Sequence, residues 1–124
     1  GQIQYFNVDE NPEQVRKLIE QAGLDPDELR EAEVIIIIIS RTPEQLEKLS
    51  RQVKELGADR LLEFNVDENP EQASKLAKTA GISEKQLREA DYIILILVRD
   101  EKKAKKFADS LRKKGSLEHH HHHH

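Results

Sequence analysis

The block Phe-Asn-Val-Asp-Glu-Asn-Pro-Glu-Gln stands at residues 6–14 and again at 64–72, and the segments that follow keep the same spacing as far as Gly57 and Gly115. A chain built this way solves one packing problem twice, so the folds open to it have two matching halves, residues 1–58 and 59–116. The block also straddles the end of an expected strand and the start of an expected helix, where ligands bind in open α/β sheets. It is therefore the first place to look for a site.

Each half reads as strand, helix, short helix, strand, helix. Residues 3–8 alternate apolar and polar as a strand with one wetter face does, and they lead into Asn11-Pro12-Glu13-Gln14: an N-cap, a proline at the first helical position and a glutamine at the third. Val15, Leu18, Ile19 and Ala22 then fall on one helical stripe, and Gly23 supplies a left-handed stop. Asp25-Pro26-Asp27-Glu28 opens a short helix. Residues 34–39, a β-branched run without a polar side chain, predict a central strand covered on both faces. Thr42-Pro43-Glu44-Gln45 opens a longer helix closed by Gly57. The second half repeats the plan, with strands at 61–66 and 92–98, helices from Asn69, Ser83 and near Asp100, and stops at Gly81 and Gly115.

The first and third strands carry Gln4, Asn7, Glu63 and Asn65, whereas the second and fourth are apolar throughout, which places the former pair at the edges and the latter at the centre. Strands alternating with helices predict a three-layer α/β/α domain with a four-stranded, mainly parallel sheet and six helices, three on each face, about a pseudo-twofold axis. The favoured strand order is 1-4-2-3, with 1-2-4-3 as the alternative, because a two-helix connection has the reach to pass a neighbouring strand. An antiparallel edge, with the short helix reversing the chain, is the other structural option.

Composition removes most chemistry. With no Cys, thiol catalysis and thiolate metal sites are excluded, and every His lies in residues 119–124, which with Leu117 and Glu118 read as an affinity tag. A net charge of -4 with 35% charged residues lacks the basic excess that nucleic acid or anionic lipid requires. The longest apolar run is far too short to span a bilayer. Two candidate sites remain. Asp9, Glu10, Asp67 and Glu68 could hold Mg²⁺ or Ca²⁺ between the halves, although carboxylates are ordinary at helix starts and their spacing matches no calcium loop. Ser40, Arg41 and Thr42, with Arg99 at the equivalent place, could bind phosphate at a helix N-terminus, but no glycine-rich phosphate loop accompanies them. Phe6, Phe64, Tyr5 and Tyr92 read as packing residues, and Lys102, Lys103, Lys105 and Lys106 as a solvated helix face.

All four prolines stand at first helical positions, and every glycine after Gly1 stands at a helix end. Natural enzymes break such rules at their sites; here propensity, pattern, caps and turns agree. On Asn11 to Gln14, Thr42 to Gln45, Asn69 to Gln72, the isoleucine run and the glycine stops, the chain resembles a de novo designed, idealised α/β protein of the Rossmann-like kind. The resemblance covers residues 1–116 and is one of style, so it carries over no active-site residues. It implies a single domain made to test folding rules: no enzyme, no cofactor, no partner, a monomer, with no natural compartment beyond soluble cytoplasmic recombinant expression. A nucleotide- or phosphate-binding Rossmann-like module is the alternative.

Overall fold

A computed structural model describes residues 3–120, with side chains as far as Lys113; the tag reading of residues 119–124 lies largely outside it. Along the chain run β1 (Ile3–Asn7), α1 (Pro12–Gln21), a 3-10 turn (Pro26–Arg30), β2 (Val34–Ser40), α2 (Pro43–Glu55), β3 (Arg60–Asn65), α3 (Pro70–Ala80), α4 (Glu84–Glu89), β4 (Tyr92–Val98) and α5 (Glu101–His120). The local grammar explains most boundaries. Pro12, Pro43 and Pro70 each occupy the first turn of a helix, where a missing N–H costs nothing. Gly23, Gly57 and Gly81 have φ near +80°, and the amide of the following residue donates back to the carbonyl five residues earlier, as Leu24 N does to Ile19 O at 3.0 Å. Gly115 is different, because α5 runs through it to His120 instead of stopping there.

The sheet overturns the expected topology. All three strand pairs are antiparallel, and the order is β1-β2-β4-β3 in place of 1-4-2-3. That order coincides with the one weighed second, but that alternative also was a sheet of mainly parallel strands. The physical reason lies in the connections. Chain leaving β1 makes α1, turns at Gly23 and makes the 3-10 turn, an out-and-back excursion that delivers Val34 opposite Asn7, with Val8 N donating to Glu33 O at 2.9 Å. In the second half α3 and α4 return the chain in the same way, and Val66 N donates to Asp91 O at 2.9 Å. The single helix α2 carries the chain from one end of the sheet to the other, so β2 and β3 point the same way, yet β4 lies between them. Burial on both faces shows that a strand is sandwiched between layers; it is silent about the direction of the neighbour.

Helix number and placement change with it. There are five α-helices among the described residues, since Pro26–Arg30 forms a 3-10 turn and not the sixth helix. Ile35, Ile37 and Ile39 face a cluster containing Val15, Leu18 and Ile19 of α1 and Ala73, Leu76 and Ala77 of α3, with Leu29 and Leu87 at its margin. Val34, Ile36 and Ile38 face Val53 of α2 and Ala104, Phe107 and Leu111 of α5. Four helical segments therefore cover one face and two the other, where three on each were expected.

The duplication accounts for this division. Adding 58 to a residue number gives its counterpart, and Ile37 pairs in the sheet with Leu95, its own counterpart. Ile3↔Ile38 in the first half likewise becomes Leu61↔Ile96 in the second. Counterparts lie on the same face, so the pseudo-twofold axis stands normal to the sheet at the Ile37–Leu95 pair. In a parallel sheet the axis would lie in the plane and exchange the faces. All seven residues of β2 are buried, and each fully buried isoleucine contributes about 1.5–3 kcal/mol relative to exposure.

Candidate functional site

An axis normal to the sheet sends duplicated residues beyond the strand ends to opposite ends of the sheet. Asp9 and Glu10 follow β1 at the end where β2 begins; Asp67 and Glu68 follow β3 at the end where β4 begins, which in an antiparallel sheet is the far end. All four are exposed, and no group of three or more His, Cys, Asp or Glu able to hold a metal occurs among the described residues. What organises these turns is Asn7 and Asn65. Asn7 Oδ1 accepts from the amides of Asp9 and Glu10 at 2.9 and 3.2 Å, and Asn65 Oδ1 accepts from the Glu68 amide at 2.9 Å. Each is a side chain standing in for a backbone acceptor in a tight turn.

Arg41 and Arg99 separate in the same way, at the end of β2 and the end of β4. Each meets a carboxylate of the other half: Arg99 Nη2 lies 2.8 Å from Glu31 and Arg41 Nη2 lies 3.8 Å from Glu89, counterpart pairs under the duplication. Arg99 also lies beside Asp59, whose carboxylate accepts from the Arg99 amide at 2.8 Å. All these groups keep substantial exposure, so each pair contributes at most about 1 kcal/mol. Ser40 is fully buried and its hydroxyl donates to Thr42 O at 2.9 Å, while Thr42 Oγ1 accepts from the Gln45 amide at 3.1 Å as the cap of α2. Both hydroxyls are thereby occupied in building the turn.

Local reading missed a set of glutamines. Asn11 and Asn69 occupy N-cap positions, but neither side chain caps; each instead donates to the carbonyl four residues back, at 3.3 and 3.2 Å. Gln14 and Gln72, expected as the third residue of the cap, reach across to the neighbouring helix. Gln14 Nε2 donates to Thr79 O at 2.6 Å, and Gln72 Nε2 donates to Gln21 O at 2.8 Å. Thr79 Oγ1 donates to Gln21 Oε1 at 2.9 Å between them. Each helix start thus satisfies a carbonyl left open at the other helix's end. Replacing Gln14 or Gln72 by alanine is expected to cost about 1 kcal/mol each, read from guanidinium unfolding. An unchanged midpoint in both variants would deny these bonds any part in stability.

Two concave features among the described residues bear on ligand binding. An open groove of about 650 Å³ between the end of α1 and the start of α3 carries Glu20, Glu68 and Glu71 against Lys75, a balance hostile to phosphate. A hollow of about 320 Å³ beside α5 is lined by Tyr5, Lys105, Asp109 and Arg112. Burial pushes the Tyr5 phenol above its usual range, with the carboxylates of Glu101 and Glu10 adding to the effect.

The comparisons with known proteins point the same way. A solution NMR structure of NF7, a de novo designed protein with a novel fold, shares 98% sequence identity over 100% of both chains, with a TM-score of 0.74. The chain belongs to this designed fold. That similarity is consistent with a designed scaffold without a biochemical function. No protein-family model and no curated protein matches it. A novel fold also accounts for the failure of the Rossmann-like expectation: strands and helices succeed one another as in that family, but the strand directions do not.

Proposed function

We propose that this designed scaffold is not an enzyme and works as a monomer that takes no cofactor, metal, nucleic acid or protein partner. The observation that carries this reading is the opposition of the duplicated residues across the sheet. Composite sites need convergent groups, and here the two carboxylate pairs and the two arginines diverge, each arginine beside a carboxylate of the other half. Among the described residues no helix is long and apolar enough to cross a membrane, which fits the proposed use as a soluble protein made recombinantly in the cytoplasm. No observation favours the nucleotide-binding alternative. Titrating ATP, NAD and inorganic phosphate is expected to give no binding tighter than millimolar, and sedimentation to give a monomer at every concentration. Micromolar affinity lost in Arg41→Ala would overturn the first expectation, and a concentration-independent dimer the second.

A further inference from the structure

We infer that the seam between residues 1–58 and 59–116 is a heterospecific interface: each half is the binding partner of the other, and neither fits a second copy of itself. Three independent features carry this. The first is incompleteness. α5 belongs to the second half but lies against β1 and β2, where Asn7 Nδ2 donates to Glu101 Oε2 at 2.6 Å, and α2 of the first half reaches β3, where Ser50 Oγ donates to Glu63 Oε2 at 3.0 Å. Each half therefore covers the other's edge strand, and separated halves would expose apolar sheet face.

The second feature is the way the seam is bonded. It includes the β2–β4 ladder, the reciprocal glutamine bonds between α1 and α3, and cross-half ion pairs of Arg41, Arg99 and Arg60, the last with Glu28 at 3.7 Å. Every one of these is non-covalent; the chain itself crosses only at the turn after Gly57. Backbone carbonyls accept the glutamine bonds, so these fix the docking geometry without distinguishing one half from the other.

The third feature supplies the discrimination. At equivalent positions of the same buried cluster, α1 offers Val15, Leu18, Ile19 and Ala22, and α3 offers Ala73, Leu76, Ala77 and Ala80. Large side chains of one helix complete a layer with small ones of the other. Two first halves would bring a second valine and a second isoleucine to a layer packed around two alanines, and overpacking is destabilising. Two second halves would set alanine where the layer needs isoleucine and valine, and would leave cavities. The sequence difference between the copies thus acts against self-pairing of either one.

The test uses the whole chain with a site-specific protease sequence inserted between Ala58 and Asp59. After cleavage the protein is expected to keep its circular dichroism spectrum and to migrate as the uncut particle. Unfolded in guanidinium and refolded as one mixture, it is expected to show only unlike pairs in native mass spectrometry, since the halves differ in mass. Pieces that part on cleavage, or a statistical mixture of like and unlike pairs, would overturn the proposal. A second measurement, free of the insertion, applies should the inserted chain fail to fold. Ile19→Ala and Ala73→Ile, level with each other in the antiparallel α1–α3 register that the glutamine bonds set, are each expected to lower the guanidinium midpoint, and the double exchange to recover most of the loss. Losses that simply add would refute the size matching.

Discussion

Phe107→Ala is expected to remove about 3–5 kcal/mol of unfolding free energy, against roughly 1–2 kcal/mol for Leu49→Ala. The two positions are counterparts under the duplication, so a reading of the repeats alone assigns them equal weight. The structure does not. Phe107 is 1% exposed within the cluster formed by β2, β4, α2 and α5, while Leu49 packs at its margin and stays half-buried. The phenylalanine fills space under a helix that lies against β1, β2 and β4, and an alanine there leaves a cavity that the close-packed surroundings only partly close. Urea or guanidinium unfolding of both variants checks the contrast. Equal losses would mean that the two halves share the load evenly and that α5 has no privileged place in the core.

Thermal unfolding is expected beyond about 90 °C, above the mesophile range. The warrant is agreement between levels. Three helices end at left-handed glycines with their carbonyls bonded, Thr42 and Ser83 cap α2 and α4 through their side chains, and the residues of β2 are buried without exception. Little in the backbone works against this, since no non-glycine residue among those described has positive φ. Circular dichroism on heating provides the measurement. A cooperative melt near roughly 45–65 °C would show that tidy local geometry has not been converted into stability.

The punctuation of the chain was legible because its causes are local. A proline fixes φ within its own residue, a glycine at φ near +80° needs no partner elsewhere, and a run of β-branched residues stays extended wherever it lies. Edge and centre were legible too, from Gln4, Asn7, Glu63 and Asn65 set against two apolar strands. Strand direction was not. Val34 through Ile39 would be equally apolar beside a parallel or an antiparallel neighbour, and the return of the chain depends on how α1 and the 3-10 turn pack, not on what either is made of. Gly115 misled for a related reason, since a glycine permits a left-handed stop but does not compel one.

The candidate sites were legible as residues but not as places. Asp9 and Asp67, or Arg41 and Arg99, meet only if the twofold axis lies in the sheet; with the axis normal to it they stand at opposite ends, and Glu31 and Glu89 occupy the arginines. The glutamines show the same limit. Asn-Pro-Glu-Gln and Thr-Pro-Glu-Gln look like one cap, yet Gln45 turns back to the Arg41 amide at 2.8 Å whereas Gln14 and Gln72 cross to another helix.

From sequence alone follow the two matching halves, where each helix begins and where all but the last end, and which strands are covered on both faces, because short-range sterics and the burial of apolar side chains determine them. Strand direction, the orientation of the twofold axis and the reach of Gln14 and Gln72 came from the assembled fold. They depend on which ends of the elements meet, and that is settled by packing between segments far apart in the chain, where residue type imposes no preference of its own.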